Sequence, residues 1–282
     1  MGMQRDSRIA VVIPNGPDMA TCCLGVMATA VCAPLNPAYQ ASEFRFYLED
    51  LGADALLLPA ALDSPAREVA SELGISVIDL AVGESEIAGQ FSFSSNAALR
   101  TSADPAPQAD DIALILHTSG TTSKPKIVPL THRNLAASAA NIRRTLQLGE
   151  ADVCLNMMPL FHIHGLVAAL LSSISAGASI VCTGGYDCNN FGAWLQRFSP
   201  TWYSAVPTIH QAILRLYETA DAPADYRGFR FLRSSSAALS PTLLKALVAR
   251  FHVPVIEAYG MTEAAHQMSS NPLPPGICKP GS

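Results

Sequence analysis

Short apolar runs recur along the chain, separated by longer segments whose apolar residues fall at helical spacing. Ile9–Ile13, Ala55–Leu58, Val77–Leu80, Ile112–Leu116, Val153–Met157, Ser179–Cys182, Trp202–Val206, Phe229–Leu232 and Val253–Ala258 read as strands, with a further short one at Phe91–Phe93. Most are near-continuously apolar, the pattern of strands covered on both faces. Between them, start and stop residues mark helices. Ser42 caps Glu43–Leu51, with Gly52 as the stop, and Ser64 opens Pro65–Leu73, with Gly74 as the stop. Thr131 opens His132–Leu146, and Ser240 with Pro241 opens Thr242–Arg250. The alternation predicts an α/β fold of two mostly parallel sheets with helices on both faces. The Ser-, Ala- and Asp-rich stretch from Gly83 to Asp111, with Pro105 and Pro107, reads as the connection between sub-sheets of about 1–105 and 106–282.

Composition narrows the class. Apolar residues fill 49% of the 282 positions and charged residues 15%, enough for a large core and too apolar for a disordered chain. Eighteen Lys and Arg against 23 Asp and Glu leave a net charge of −5. No basic surplus exists to neutralise a phosphate backbone, so a nucleic-acid partner is not expected. Seven cysteines without a CxxC pair fit a reducing compartment better than a disulfide framework, and the expectation is cytoplasmic. Two long stretches, Thr21 to Ser42 and Gly165 to Asp187, are almost uncharged. Pro34, Pro37, Ser172, Ser173, Ser175 and the Gly184–Gly185 pair fit buried helix-plus-strand units better than membrane spans. The apolar run near the start, Ile9–Ile13, is too short for a signal peptide.

The densest candidate chemistry lies in Leu114–Lys126, where a strand runs into Thr118, Ser119, Gly120, Thr121 and Thr122, then two lysines flanking Pro125. Small residues let backbone N–H groups approach a polyphosphate, hydroxyls add donors and lysine adds charge. The spacing is not that of a Walker A loop. By itself such a cluster is more often an ordinary polar turn than a phosphate site. Two further segments change the picture. Glu257-Ala-Tyr-Gly-Met-Thr-Glu263 follows another strand and offers a flat ring, a glycine and a Thr/Glu pair suited to a hard cation. Met158-Pro-Leu-Phe-His-Ile-His-Gly165 lies between the two. Its histidine pair lacks a third ligand at zinc spacing and is a structural pair or a substrate contact.

With these motifs in this order, the chain resembles the adenylate-forming superfamily of acyl-CoA synthetases, nonribosomal-peptide adenylation domains and luciferases. Thr118–Lys126 is similar to that family's phosphate loop, Pro159–Gly165 to its Pro-Leu-Phe-His segment, Phe231–Leu239 to its adenine segment and Tyr259–Glu263 to its Tyr-Gly-x-Thr-Glu motif. The resemblance runs from Ile9–Asn15 to the last residue. Val206–Gln211 and Met261–Leu273 resemble the oxalyl-CoA and small-acid branch most.

The resemblance implies a two-step ligation. A carboxylate attacks the α-phosphate of ATP, giving an acyl-adenylate and pyrophosphate, and the thiol of coenzyme A then displaces AMP. Thr118 to Thr122 and Lys126 would contact the phosphates; Ser235, Ser236 and Ala237 would meet the adenine edge. Glu257, Ala258, Tyr259, Gly260 and Met261 complete the nucleotide site, with Tyr259 stacking on the base. Thr262 would touch phosphate and Glu263 hold Mg²⁺. His162 matches the histidine at the acyl and CoA gate, and His164 falls where an acyl-pocket side chain often sits. An acid site edged by His162, His164, Ser236 and His266 suits a short polar or dicarboxylic acid, oxalate first, since an alkyl tail would leave those groups unpaired.

Some positions depart from the family pattern. Ser123 and Ile127 stand where the phosphate loop usually has glycine, and Ser235 and Ala238 replace the commoner Gly and Pro of the adenine segment. The ends look clipped against the family, so the expectation is an incomplete adenylating N-terminal domain, with the C-terminal domain and its lysine absent. Such a chain would bind nucleotide and turn over weakly or not at all alone, and would self-associate or work with a separate C-terminal half. The alternatives are a nucleotide-binding module without turnover and an adenylating enzyme for medium-chain, aryl or amino acids.

Overall fold

The computed structural model describes residues 3–82, 87–95, 106–118, 125–219 and 223–281. The chain divides into two units, Met1–Arg133 and Asn134–Ser282, each with its own sheet and core.

The first unit carries β1 (Arg8–Val11), β2 (Val31–Pro34), β3 (Ala55–Pro59), β4 (Ser76–Val82), β5 (Phe91–Ser95), β6 (Ile112–Thr118) and β7 (Lys126–Thr131). They form one sheet in the order β5-β4-β3-β1-β2-β6-β7. The interior pairs are parallel, and the edge pairs β4–β5 and β6–β7 are antiparallel. Helices α1 (Pro17–Met27), α2 (Ala41–Leu51) and α3 (Pro65–Glu72) connect successive strands. The core gathers Val12, Val31, Phe44, Leu48, Leu56, Leu58, Val69 and Ile115.

The expected division near residue 105 is therefore displaced. Strands β6 and β7 complete the first sheet, and the chain divides at the start of α4 (His132–Leu146). One cap also differs. Helix α2 begins at Ala41, because Glu43 reaches back to accept from the Gln40 N–H at 2.8 Å in a capping box, with Gln40 rather than Ser42 as the cap. Ser64 and Ser240 cap as expected, accepting from the N–H groups of Ala66 and Leu243.

The second unit carries β8 (Val153–Asn156), β9 (Ser179–Cys182), β10 (Trp202–Ala205), β11 (Phe231–Ser234), β12 (Val255–Met261) and β13 (His266–Ser270), in the order β13-β12-β11-β10-β8-β9. All pairs are parallel except the hairpin β12–β13. Helices α5 (Ser172–Ser175), α6 (Cys188–Phe198), α7 (Pro207–Leu216) and α8 (Pro241–Phe251) complete it. Leu155, Phe191, Tyr203, Ile213, Leu232, Leu247 and Phe251 form the core.

The nearly uncharged stretch from Gly165 resolves into a π-helix, His164–Leu171, running into α5 and then β9. The Ser172 and Ser173 hydroxyls donate back to the carbonyls of Ala168 and Ala169, which lets a polar pair lie buried there. No helix among the described residues is long and apolar enough to cross a membrane.

Candidate functional site

In the first unit, Thr118 ends β6 and Lys126 opens β7, and the two are register partners across the antiparallel ladder. The hydroxyl-rich segment thus leaves and re-enters one sheet at adjacent positions. Ser119, Gly120, Thr121 and Thr122 lie outside the described residues. Lys126 is exposed.

In the second unit, the ends of β11 and β12 enclose a cavity of about 600 Å³. Ser236, Ala237, Glu257, Ala258, Tyr259 and Gly260 line it, so the structure brings these six expected nucleotide residues to one place. Tyr259 is 60% exposed, a large ring left open where core packing would have buried it. Ser236 holds a left-handed backbone, φ 69°, in the bend that follows β11. Ser235 behaves differently. It is buried, adds nothing to the lining, and its hydroxyl donates to the Ala258 carbonyl at 2.9 Å, tying β11 to β12 behind the wall.

Met261, Thr262 and Glu263 follow at the turn of the β12–β13 hairpin and do not line the cavity. Glu263 is exposed. A hydroxyl and a carboxylate side by side are an all-oxygen set that fits Mg²⁺, which commonly takes one or two carboxylates plus phosphate oxygens and water. Among the described residues no three His, Cys, Asp or Glu side chains gather as a metal cluster.

Gly260 has a reason of its own. A Cβ there would run into the carbonyl oxygen of His266, so the glycine admits the neighbouring strand as closely as any ligand. Gly165 is similarly placed, since a Cβ would strike the carbonyl oxygens of Met158 and Pro159. This packs the Pro-Leu-Phe bend against the first turn of the π-helix.

His162 is exposed at the entry to that π-helix, its ring 4.7 Å from that of Phe161. Crowding by surrounding protein pulls its pKa below the usual value. His164 and His266 are each only 2% exposed, with ring centroids 5.2 Å apart. His164 bonds Ser204 Oγ through Nε2 at 2.6 Å and Ser236 Oγ through Nδ1 at 2.9 Å. Burial, then the charge of Arg233, holds its pKa well below normal. The same two causes push His266 down to about 2. Both imidazoles are therefore neutral at pH 7, and neither supplies positive charge.

The charge comes from Arg233, which the motifs alone do not single out as functional. It sits in the all-buried strand β11, 0% exposed, register partner of Ser204 on β10. Its Nη1 donates to Ser204 Oγ at 3.0 Å and its Nη2 to Gln267 Oε1 at 3.1 Å. Gln267 in turn donates to Thr145 Oγ1 at 3.3 Å. Burial lowers the guanidinium pKa to about 10, which leaves it cationic at neutral pH. No carboxylate among the described residues pairs with it. Such a cation is costly unless its surroundings are arranged for it. Its signal in the sequence is a lone arginine inside an apolar strand. Ser269, Ser270 and Asn271 also line the cavity and carry no such signal, because the β12–β13 hairpin brings them there. Gly281 lines it too, its N–H donating to the Glu257 carboxylate at 3.2 Å.

The chain is 43% identical over its whole length to an oxalate–CoA ligase of Arabidopsis thaliana, covering 55% of that protein. It is 37% identical, again over its whole length, to a sulfoacetate–CoA ligase of Cupriavidus necator, covering 54% of it. The chain thus spans about half the length of the curated relatives it matches. Among solved structures, ATP-bound MatB from Rhodopseudomonas palustris superposes with a TM-score of 0.81 at 26% identity, over 99% of this chain and 54% of that one. A family model described as AMP-binding enzyme matches residues 1–282, and the chain belongs to that family.

Proposed function

We propose that this chain binds ATP and a short dicarboxylic acid, oxalate first, as the adenylating part of an acid–CoA ligase. The observation that carries the reading is a shared wall. Tyr259, a base-sized exposed ring, and Ser236, hydrogen-bonded back to a buried guanidinium through His164 and Ser204, line one cavity. A relative named for oxalate and another named for sulfoacetate support an acid that carries a second anionic group.

In the proposed reaction, a carboxylate oxygen of the acid forms a bond to the α-phosphorus as the bond to the bridging oxygen breaks and pyrophosphate leaves. The sulfur of coenzyme A then bonds to the acyl carbon, AMP leaves with the C–O electrons, and the thiol proton passes to solvent. An anion approaching a polyanion needs positive charge and aligned donors. Those roles fall to the Thr118–Lys126 segment for the phosphates, Tyr259 and the backbone of Ser236–Ala237 for the base, and Ser236 for the far carboxylate. Glu263, next to Thr262, would hold Mg²⁺, whose charge would offset that developing on the leaving group. His164 and His266 are buried and neutral and do not line the cavity. His164 reaches it through its bond to Ser236, so long-range attraction for the acid comes from Arg233. His162, exposed on the approach to the π-helix, is assigned to the gate for acid and CoA.

The test is an acid panel titrated into the chain with magnesium ATP present. Oxalate binding at least tenfold tighter than acetate or octanoate supports the reading. Preference for octanoate overturns it.

A further inference from the structure

Arg233 is an expensive residue to bury, and the gain is legible in the direction of the hydrogen bonds around it. A guanidinium only donates, so Ser204 Oγ accepts from it at 3.0 Å. The proton of Ser204 then needs an acceptor. Among the described residues the partner in reach is Nε2 of His164, at 2.6 Å. With Nε2 accepting, a neutral His164 carries its proton on Nδ1 and donates to Ser236 Oγ at 2.9 Å. The oxygen of Ser236 is then occupied as an acceptor, and its own hydrogen is left for the cavity that the residue lines. The second arm of the guanidinium is fixed in the same way. Gln267 uses its amide N–H on Thr145 and so turns its carbonyl oxygen to Nη2.

We infer that Arg233 is a positioning residue which sets the polarity of the chain Arg233→Ser204→His164→Ser236, so that Ser236 faces the cavity as a hydroxyl donor for an anionic oxygen. In the opposite polarity Ser204 would accept from both neighbours, and its own proton would lie buried without an acceptor, which is unfavourable. Register enforces the arrangement, since Ser204 and Arg233 are Cα partners on adjacent parallel strands and present their side chains to one face. The use of the Ser236 hydroxyl on a carboxylate rests on the function proposed above. The polarity of the chain does not.

Histidine-selective ¹⁵N labelling of the whole chain tests it, because imidazole nitrogen shifts separate the two neutral tautomers. At pH 7.5 His164 should be in the Nδ1–H form. Ser204→Ala, which keeps the buried cation, and Arg233→Met, which removes it, should each move His164 toward the Nε2–H form. Each should also weaken oxalate binding about tenfold or more, and Arg233→Lys, still a donor, should recover part of the loss. An Nε2–H His164 in the unmodified chain overturns the inference, as does an unchanged tautomer with unchanged oxalate affinity in Ser204→Ala. Should Arg233→Met fail to fold, the unmodified chain and Ser204→Ala still decide. An Nδ1–H tautomer that responds to Ser204→Ala in a chain that never binds oxalate would retain the relay and reject the substrate.

Discussion

Gly260 on β12 faces the carbonyl oxygen of His266 on β13 so closely that no side chain fits between them. The register of the hairpin shifts at Tyr259/Gly260, and the backbone turns through left-handed conformations at Ala265 and His266, φ 52° and 95°. One glycine thus lets a short antiparallel edge close over the end of a parallel sheet and carry His266 and Gln267 up to Arg233.

Gly260→Ala should force these strands apart. Overpacking of this kind costs about 1–3 kcal/mol, read as a lower urea midpoint. Nucleotide affinity should fall with it, because Tyr259 is the adjacent residue.

Acid should destabilise the second unit through its buried histidines. His164, His210 and His266 all have folded pKa values below the usual 6.5, His210 at about 4 and His266 at about 2, with burial the leading cause. The unfolded chain therefore binds more protons than the folded one at pH values beneath 6.5. The stabilisation is complete above that pH and is lost as pH falls toward the folded values. Each such histidine contributes a slope of up to about 1.4 kcal/mol per pH unit. Urea midpoints should be nearly level from pH 7.5 to about 6.5 and fall from there to about pH 5, and His210→Phe should flatten the slope. A flat profile would contradict the burial of all three.

Asp152 anchors the base of the same sheet. It accepts from Arg230 at 2.7 and 2.8 Å, from Thr201 Oγ1 at 2.7 Å and from the Gly149 N–H at 3.0 Å. Burial opposes its ionisation, but these bonds together hold its pKa below the normal carboxylate value. Asp152→Ala should cost about 2–3 kcal/mol, with a smaller loss for Arg230→Ala, since that guanidinium is partly solvated. Thermal melts of the two variants check the order.

Much of this architecture is legible in the residues because buried parallel strands announce themselves as apolar runs. The runs Trp202–Val206 and Phe229–Leu232 predict β10 and β11, and Ser64 and Ser240 fix their helices. The nucleotide motifs likewise mark the walls of the cavity, as Ser236 and Tyr259 show. Two things escape. Strand β13, His-Gln-Met-Ser-Ser, has neither apolar continuity nor alternation, so only its pairing with β12 makes it a strand. The sequence marks His164 and His266 as polar groups but not their protonation state. Burial beside Arg233 keeps both neutral, and no local pattern reports a desolvation energy.

Ser236→Ala should lower oxalate affinity about tenfold while leaving His164 in its tautomer, because Ser204 and not Ser236 sets which nitrogen is protonated. Calorimetry and imidazole ¹⁵N shifts on one sample give both answers.

The central claim is that the cavity of Tyr259 and Ser236 receives a nucleotide. Calorimetric titration of the folded chain with magnesium ATP tests it most directly. One site with measurable heat is expected, and Tyr259→Ala should weaken it about tenfold, the worth of one base stacked on an aromatic ring. No heat from the folded chain, or an affinity indifferent to Tyr259→Ala, would contradict it.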